Sequence, residues 1–458
     1  MDTKKLRQKI LDLAIHGKLV PQDPNDEPAS VLLERIRAEK ERLIKEGKIK
    51  QSKKSAKSSD TRHYENVPFK VPEGWEWTVI EDVTVNRDAE RIPLSLAVRK
   101  KQQNKVYDYY GAAGVIDKVE NYLFDERLLL IGEDGANLLS RSKNNAFFAE
   151  GKYWVNNHAH VLDCPSKSVL DYVAFVINSM SLDDYITGSA QPKLTQDNLN
   201  KILIPLPPEK EQHRIIESVN DYFSYISLLE NEIEEMNSFV QKAKSKILDL
   251  AVHGKLVPQD PNDEPAIELL KRINPKFTPC DNGHDEKKEI PDSWIWCTLH
   301  DSFNITMGSS PTGDALNREK QGVEFHQGKV FFSNKNILPS DIYTTQPVKM
   351  AEPHSILLCV RAPVGTVNIT DRQICIGRGL CSLMPSKSID LQYAYYVLQT
   401  CSKELEQKAT GSTFKAVSGD IVKKQLIPFP PYNEQLRIVK RIEELFAVLD
   451  EIQKSIEA

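Results

Sequence analysis

Two stretches of this chain are nearly identical: KILDLAIHGKLVPQDPNDEPA at residues 9–29 and KILDLAVHGKLVPQDPNDEPA at residues 246–266. Over 21 positions they differ only at Ile15 and its counterpart Val252. Two looser matches keep the same order in each half: residues 71–77 with 290–296, and residues 204–215 with 427–438. Repeated segments in a constant order indicate a duplicated structural unit. The sequence therefore predicts two copies of one half.

The segments between these repeats have diverged. From the Trp-x-Trp element to the Pro-Pro element, the two halves show only scattered correspondence. Two nearly identical surfaces on one chain suit two copies of the same partner, whereas two unlike domains suit two different ligands of one class. This contrast indicates a binding protein in which a repeated scaffold joins two different recognition domains.

A long helix is predicted after the first Pro-Pro element, with Glu209 and Glu211 in its first turn, where acidic side chains favour the helix dipole. Apolar residues then recur at alternating spacings of four and three, which is the pattern of a coiled-coil seam. They are Ile215, Val219, Tyr222, Ile226, Leu229, Ile233, Met236, Val240, Ala243, Ile247 and Leu250. Gly254 is the expected stop, so the helix should run from Glu209 to His253.

The partner of this helix is predicted from both ends of the chain. The same seam recurs near the C-terminus and resumes near the N-terminus, at Ile438, Ile442, Leu445, Leu449, Ile452, Ile456, Leu6, Ile10 and Leu13. When the repeats are aligned, Ala458 corresponds to Glu235 and Met1 to Ser238. We therefore expect the two terminal helices to abut and together copy the central helix, which makes the molecule pseudo-two-fold and circularly closed. An ordinary core helix hairpin is the alternative.

The predicted fold class is α+β, with two α/β recognition domains separated by a long antiparallel coiled-coil helix pair. Domain 1 comprises residues 70–207 and domain 2 residues 290–430. The other predicted segments are 1–30, part of the split helix with a docking loop; 31–69, a basic helix and linker; 208–254, the central helix; 255–289, a second docking loop and linker; and 431–458, the rest of the split helix.

Composition limits the possible functions. The chain has 60 Lys+Arg against 65 Asp+Glu, and this net charge of -5 excludes a uniformly basic nucleic-acid coat but not a local basic groove. No run approaches the roughly 18 apolar residues of a membrane helix, and the scattered cysteines suit free thiols, so we expect a cytoplasmic protein without membrane contact. Residues 34–57 have ten basic and four acidic side chains. This segment is either a solvated helix leading into a linker or an arm for the DNA backbone.

Small and polar residues crowd the loops after the predicted strands of both domains. Amide and guanidinium groups suit the reading of base edges, because Arg or Lys pairs with guanine and Asn or Gln with adenine. Turns also favour Gly, Asn and Ser, so a single loop is a weak signal. The candidate DNA-binding residues are Asn137, Arg141, Lys143, Asn156, Asn157, His158, His160, Gln191, Lys193, Ser309, Ser310, Asn334, Lys335, Arg361, Arg378, Ser412, Thr413 and Lys415.

Motifs for catalysis are missing from the sequence. Neither a G-x-x-x-x-G-K-[ST] phosphate loop nor a G-x-G-x-x-G turn occurs. Residues 274–277 (Asn-Pro-Lys-Phe) only faintly resemble the Asn/Asp-Pro-Pro-aromatic tetrad of amino-methyltransferases. His158 and His160 should share one face of a strand, but no third metal ligand with suitable spacing is visible, which favours a structural or DNA-contact role. We expect no catalytic and no metal-binding residues.

The repeated motifs resemble those of the specificity subunits of type I restriction-modification systems, over essentially the whole chain. The most specific marks are two Pro-Pro…Glu-Gln-x-Arg-Ile helix openings and twin Gly-Lys-Leu-Val-Pro-Gln-Asp-Pro segments, at residues 207–215, 430–438, 17–24 and 254–261. Three shorter stretches look like this family's target recognition domains: residues 132–136, 157–160 and 308–311.

The resemblance implies a non-catalytic subunit whose two domains each read one half of an asymmetric, bipartite site in double-stranded DNA, with an unread spacer set by the helix pair. It also implies two methyltransferase subunits that carry S-adenosylmethionine and methylate adenine N6, and restriction subunits that use ATP and Mg. No cofactor is expected on this chain itself. The residues expected to bind the partner subunits are Gly17, Lys18, Leu19, Gln212, Arg214, Gly254, Lys255, Leu256, Gln435 and Arg437.

Two other classes of function stay open. One is a single-chain DNA methyltransferase or nuclease with its own target domains, which would methylate DNA without a partner. The other is a coiled-coil scaffold without DNA binding, which would show no salt-dependent affinity for DNA.

Overall fold

The computed structural model describes residues 2–49, 67–188, 191–280, 289–410 and 415–457. The chain divides into two compact units, Asp2–Asn231 and Glu232–Ala458, here called the N-terminal unit and the C-terminal unit. The division falls inside one helix, Glu209–Val252, so each unit contains about half of it.

In the N-terminal unit, helices and strands alternate irregularly. The helices are α1 (Thr3–Ile15), α2 (Ala29–Lys45), α3 (Ile80–Val83), α4 (Leu96–Lys101), α5 (Asn137–Ser140), α6 (Lys167–Ser179), α7 (Gln196–Asn200) and the first half of α8 (Glu209–Val252). The strands are β1 (Glu76–Val79), β2 (Val85–Asn86), β3 (Tyr107–Gly111), β4 (Gly114–Val119), β5 (Phe124–Asp125), β6 (Leu128–Gly132), β7 (Ala146–Ala149), β8 (Lys152–Val155), β9 (Ala159–Asp163) and β10 (Leu203–Leu206).

The strands of domain 1 form two four-stranded sheets, β2-β9-β6-β7 and β4-β3-β8-β5, and β1 pairs separately with β10. β6 is apolar at every position but its terminal glycine because it lies between two neighbours and is buried on both faces. The helix α6 packs on this sheet and contributes most of its apolar residues to the core. The loops after β6 and before β9 leave the sheet side by side, which is where the candidate site forms.

The C-terminal unit repeats this plan with different strands. Its helices are the rest of α8, α9 (Ala266–Ile273), α10 (Leu299–Ser302), α11 (Leu391–Thr400), α12 (Ser402–Lys408), α13 (Gly419–Lys423) and α14 (Tyr432–Glu457). Its strands are β11 (Ile295–Thr298), β12 (Phe303–Met307), β13 (Leu316–Asn317), β14 (Val323–His326), β15 (Tyr343–Thr344), β16 (Met350–Ala351), β17 (Ser355–Cys359), β18 (Val367–Thr370), β19 (Ile374–Ile376), β20 (Leu380–Pro385) and β21 (Leu426–Phe429).

The sheets of domain 2 are β12-β20-β17-β18 and β13-β15-β14-β19-β16, and β11 pairs with β21 as β1 does with β10. The second sheet has five strands where domain 1 has four, so the region between the repeats differs in architecture as well as in sequence. Helices and sheets are mixed in both units, which agrees with the α+β class expected from the sequence.

Each terminal helix packs against the half of α8 in its own unit, and it runs in the opposite direction. In the N-terminal unit, Arg7 donates to Glu230 at 2.9 Å, whereas Gln22, further along the chain, donates to Glu211 at 2.7 Å. The C-terminal unit repeats the arrangement, with Lys244 at 2.5 Å from Asp450 and Gln259 donating to Glu434 at 2.6 Å. Apolar side chains fill the space between the helices: Ile10, Ala14, Ile215, Val219 and Ile226 share one core, and Leu248, Ala251, Ile438 and Ile442 share the other.

The predicted seam of α8 was wrong at three positions. Ile226 is 2% exposed, as expected, but Tyr222 is 46% exposed, and Leu229 and Met236 also face outward. Phe223 takes the inward place instead and lies under the Arg7 guanidinium. The error arises because α8 has apolar side chains on two adjacent stripes, and a spacing of four and three fits both of them.

Candidate DNA and partner interfaces

In the N-terminal unit, the repeated loop closes onto the start of α8. The carboxylate of Glu211 accepts hydrogen bonds from Gln22 at 2.7 Å and from the Trp75 indole at 3.0 Å. Arg214, one turn further along, pairs with Asp26 at 2.6 Å. Burial raises the pKa of Glu211, and the two hydrogen bonds oppose that rise. These contacts join three separate sequence motifs, namely the repeated loop, the Trp-x-Trp element and the start of α8, into one structural element.

The C-terminal unit contains the same element. Glu434 accepts from Gln259 at 2.6 Å and from the Trp294 indole at 2.8 Å, and Arg437 pairs with Asp263 at 2.6 Å. Burial also raises the pKa of Glu434. Contacts inside each unit therefore account for part of the similarity between the two repeats, because every side chain named here has a partner on another part of the repeated element.

The two glycines predicted to bind partners have an internal role. Gly17 and Gly254 both have a φ of +65°, the left-handed region that ends many helices. A Cβ at Gly17 would lie 2.4 Å from Pro72 Cγ, and one at Gly254 would lie 2.3 Å from Pro291 Cγ. The chain therefore needs glycine at these positions to let the proline come close.

Two more of the predicted partner contacts need correction. The side chains of Gln212 and Gln435 are fully buried and donate to the carbonyl oxygens of Pro207 and Pro430, at 2.9 and 3.0 Å. They hold the start of α8 and of α14 and offer no surface to another protein. Within the predicted set, exposed or half-buried side chains remain at Lys18, Leu19, Arg214, Lys255, Leu256 and Arg437.

Three of the predicted DNA-binding loops of domain 1 meet. The Glu133 amide donates to the His158 carbonyl at 2.9 Å, and the Leu194 amide donates to the Glu133 carbonyl at 2.8 Å. The Gly135 amide donates to the Pro192 carbonyl at 3.1 Å. The loop after β6 thus lies between the turn before β9 and the segment that ends at Leu194. Five of the predicted side chains are exposed on these three loops or beside them: Lys143, Asn157, His158, Gln191 and Lys193.

Other predicted DNA contacts in domain 1 are buried or engaged in contacts within the domain. Asn156 is buried, and His160, at 1% exposure, bonds Asp88 and the Leu194 carbonyl, so neither side chain can reach a base. Arg141 donates to the carbonyl of Asn178. The expectation that His158 and His160 share a face was also wrong, because β9 begins at Ala159 and His158 belongs to the preceding turn. Asn137 is engaged with Asn145 at 2.7 Å.

The predicted loops of domain 2 also meet. Ala362 donates to the Lys415 carbonyl at 3.1 Å, which places Arg361 beside Lys415, and Val360 donates to the Gly379 carbonyl at 3.0 Å. The Arg378 amide lies 3.4 Å from the Ser310 hydroxyl, so the loop containing Ser309 joins the group. Arg361, Arg378 and Lys415 are exposed. Ser412 and Thr413 lie outside the described residues.

Asn334 and Lys335 do not join this group. The Asn334 carbonyl accepts from Tyr395 at 2.7 Å, and Lys335 pairs with Glu443 of α14 at 3.2 Å. The Lys335 carbonyl accepts from the amide of Ile369, which lies opposite Ile356 at the start of β17, whereas Arg361 follows the end of that strand. Ile356 and Arg361 are five residues apart along an extended strand, so Lys335 lies roughly 16 Å from the group around Arg361.

The basic segment of residues 34–57 is only partly described. Within its described part, Arg35 pairs with Glu209 at 2.8 Å, and Arg42 donates to Glu39. Lys40 is half-buried and donates to the backbone carbonyls of Glu81 and Thr84, and burial lowers its pKa. These three side chains serve contacts within the chain, which weakens the interpretation of α2 as an arm for the DNA backbone.

A surface that sequence reasoning missed is the β3–β4 hairpin. Val115 and Ile116 are 49% and 55% exposed on consecutive residues, next to a register shift between Tyr109 and Tyr110. The hairpin touches the end of β6, because a Cβ at Gly132 would lie 2.6 Å from the Ala112 carbonyl oxygen. Glycines at both ends of residues 111–114 indicate the turn, but no sequence signal shows what the hairpin lies beside.

Comparison with known proteins defines the class to which these two domains and their loops belong. The model of the type I restriction modification DNA specificity domain matches residues 72–238 and 291–458. The chain therefore belongs to the family of type I restriction-modification specificity subunits.

Individual relatives agree. The chain is 27% identical to the EcoAI specificity subunit of Escherichia coli over 98% of this chain and 90% of that protein. It is also 27% identical to the putative MjaX specificity subunit of Methanocaldococcus jannaschii over 82% of this chain and 87% of that protein. A solved chain from a study of the assembly of a type I R-M system matches with a TM-score of 0.57 and 22% identity, over 85% of this chain and 94% of that one, which shows a shared fold. Among the described residues, no helix is long and apolar enough to cross a membrane.

Proposed function

We propose that this chain is the non-catalytic subunit that gives a type I restriction-modification complex its DNA specificity. Each domain reads one half of an asymmetric, bipartite site in double-stranded DNA, and together they direct adenine-N6 methylation and restriction by the partner subunits. The observation that carries the proposal is the pair of family domains whose exposed polar loops cluster on unlike frameworks, beside a repeated structural element that is the same in both units.

The reading surface of each domain is its cluster of exposed loops. In domain 1 it comprises His158, Gln191 and Lys193, which are exposed on loops tied together through Glu133. In domain 2 it comprises Arg361, Arg378 and Lys415. Amide and cationic groups of this kind bind base edges and phosphates, so the clusters suit DNA although the whole chain is slightly acidic.

The helices set the distance between the two half-sites in this proposal. α1 and α14 run antiparallel to their halves of α8 and together would copy it, giving the circularly closed arrangement expected from the repeats. The support is that both units use the same side-chain types at equivalent places, with Gln22 and Gln259 donating to Glu211 and Glu434.

We assign partner docking to the apolar stripe of α8 that faces away from the core, here called the outer stripe. In the N-terminal unit it exposes Tyr222, Tyr225, Leu228 and Leu229, and in the C-terminal unit Met236 and Phe239. Spacings of three, four and seven residues place these side chains on one face of a helix, and such a stripe is suited to another helix in a bundle. We propose helices of two methyltransferase subunits as its occupants, with S-adenosylmethionine, ATP and Mg on the methyltransferase and restriction subunits and no cofactor on this chain.

Mapping of methylated sites in cells that contain the complete system tests the proposal. His158→Ala in domain 1 should relax one half of the target, and Arg361→Ala in domain 2 should relax the other half, by roughly tenfold for each base that the variant no longer reads. Relaxed discrimination at both halves in either variant would contradict the assignment of one half-site to each domain.

The two alternatives give different results in the same system. A single-chain enzyme would methylate DNA with S-adenosylmethionine in the absence of every partner. A scaffold without DNA binding would leave the affinity of the complex for DNA independent of the loop variants, and the chain itself would contribute nothing to the salt dependence. A cytoplasmic location is part of the proposal, since the target is the cell's own DNA.

A further inference from the structure

Five ionisable side chains from distant parts of domain 1 meet at the base of its reading loops, and one of them, Lys193, is also exposed on the reading surface. We call this group the charge cluster; it consists of Asp88, Arg91, Glu133, His160 and Lys193. They come from the turn after β2, the loop after β6, strand β9 and the segment before α7. Side-chain contacts therefore hold these four segments together in addition to the pairing of strands.

His160 is at the centre of the charge cluster. Its Nε2 lies 2.8 Å from the Leu194 carbonyl oxygen, which can only accept, so Nε2 carries a proton. Its Nδ1 lies 2.6 Å from Asp88, whose other carboxylate oxygen accepts from the Val161 amide at 2.8 Å. Burial alone would raise the pKa of Asp88, but the hydrogen bond and charge of His160 hold it below its usual value. Asp88 and the Leu194 carbonyl therefore hold the imidazole ring from both of its nitrogens.

Glu133 joins the charge cluster to the reading loops. One carboxylate oxygen accepts from Arg91 at 2.7 Å, and the other lies 3.2 Å from the Lys193 ammonium group. The backbone of the same residue donates to His158 and accepts from Leu194. Glu133 is therefore bound to both flanking loops through its backbone, and its side chain adds a charged bond to one of them.

A metal ion is the other interpretation of these residues, because ligand atoms of Asp88, Glu133 and His160 lie within 4.8 Å of one another. The donor set does not fit one. Both ring nitrogens of His160 already face an acceptor, and Arg91 lies within 3.2 Å of both carboxylates. Arg91 and Lys193 already balance the charge of the two carboxylates, so neither carboxylate is left to balance a divalent cation.

We propose that the charge cluster fixes the segment at Lys193 and Leu194 against the loop after β6 in its reading position, so that Glu133 and His160 are positioning residues for the half-site that domain 1 reads. This inference rests on the proposed function. Domain 2 holds its corresponding segment through equivalent backbone bonds, from Ala362 to Lys415 and from Val417 to Val360, but the apolar Val360 stands in the place of Glu133. The two halves of the target should therefore respond differently when the charges of the cluster are removed.

Glu133→Gln and His160→Gln test the proposal in the assembled complex, because each amide keeps roughly the side-chain size and removes the carboxylate or the imidazole that makes the contacts. Methylated-site mapping should show discrimination at the domain 1 half-site reduced roughly tenfold, the discrimination that one base-reading side chain supplies, with the domain 2 half unchanged. Amide hydrogen exchange at Leu194 should become faster in both variants.

Glu324→Gln in domain 2 is the matched control. Glu324 is also a buried acid bonded to a histidine and an arginine, but its partners His326 and Arg372 are not part of the segment that reaches Lys415. This variant should leave the domain 1 half-site and the exchange at Leu194 as they are in the parent chain. A general effect of removing a buried charge would instead lower discrimination in all three variants.

Several results would overturn the inference. Unchanged discrimination and exchange in both domain 1 variants, or equal relaxation at the two half-sites, contradicts a positioning role. A rise in the thermal midpoint of the parent chain with Zn²⁺, abolished by Glu133→Gln, would show a metal site instead. If the parent complex itself does not distinguish two half-sites, the proposed function fails, and that result is separate from the outcome for the variants.

Discussion

At the scale of single residues, Gly254 shows how contacts within the chain can restrict a repeated position to one residue type. Its φ of +65° is left-handed, and a Cβ there would lie 2.3 Å from Pro291 Cγ. We expect Gly254→Ala to lower the free energy of unfolding of the C-terminal unit by about 2–4 kcal/mol, because backbone strain and overpacking add. Urea unfolding followed by the fluorescence of the neighbouring Trp294 measures this decrease.

Gly47 provides the control for that substitution. Its φ is +70°, but no heavy atom lies within 4 Å of the place a Cβ would take. Gly47→Ala should therefore cost only the strain of the left-handed backbone, about 1 kcal/mol. Equal destabilisation in the two variants would show that the close approach of Pro291 to Gly254 has no energetic weight.

Glu324 makes the stability of domain 2 depend on pH. Burial alone would raise its pKa, but two hydrogen bonds from Arg372, one from the Ser340 amide and one from His326 lower it to about 2. The unfolded chain binds this proton near pH 4.5, so the group stabilises the fold fully above that pH. The stabilisation is then lost as the pH falls toward 2.

The difference between the parent chain and Glu324→Gln measures this contribution. The destabilisation of the variant should be greatest at neutral pH, at most about 3 kcal/mol, and should shrink between pH 4.5 and pH 2 as the parent loses the same interaction. Urea unfolding at several pH values gives the comparison. A difference that does not change with pH in that range would mean that Glu324 has an ordinary pKa in the folded protein.

At the scale of elements, α8 separates two apolar stripes that the sequence alone could not tell apart. Ile226 is buried in the core shared with α1, whereas Leu229, three residues on, faces outward. Ile226→Ala should lower the free energy of unfolding by about 2–4 kcal/mol, since it leaves a cavity. Leu229→Ala should change it by no more than about 0.5 kcal/mol but weaken assembly with the methyltransferase subunits.

Chemical unfolding of the isolated chain and sedimentation of the mixed subunits provide the two measurements for this pair. The outcome decides directly which apolar stripe of α8 faces the core. If Leu229→Ala destabilised the isolated chain as much as Ile226→Ala, the seam expected from the four-and-three pattern would be the correct one after all. If assembly were unaffected, the outer stripe would not be the docking surface.

The same helix shows what a sequence pattern can and cannot predict. The Pro-Pro element and Gly254 predicted the bounds of α8 to within one residue, and the spacing of apolar residues predicted that the segment between them is helical. The spacing did not predict the phase, because Tyr222 and Phe223 are both large aromatic residues. The choice is made by Arg7, which bonds Glu230 and covers Phe223, and a contact between residues so far apart in the chain leaves no local signal.

At the scale of the whole molecule, the duplication was visible in the sequence, but its reason was not. The repeats were interpreted as two docking surfaces, which stays a prediction, and Gln22, Trp75 and Glu211 show that they are also parts of one internal element in each unit. The clustering of the reading loops could be expected only in outline. Which side chains are buried beneath them, as His160 is, depends on partners such as Asp88 that lie far away in sequence.

Circular permutation tests the proposed closure of the molecule. Each unit contains one terminal helix and one half of α8, and residue 236 lies close to the division between the units, so a break there should remove few of the interactions of either unit. Joining the present ends with a short linker and reopening the chain at 236 should give a protein that unfolds at nearly the same urea concentration and assembles with the methyltransferase subunits. Reopening inside α6, whose residues are core to domain 1, should prevent folding. If both permutants failed, the continuity of α8 would be essential and the terminal helices could not be acting as its copy.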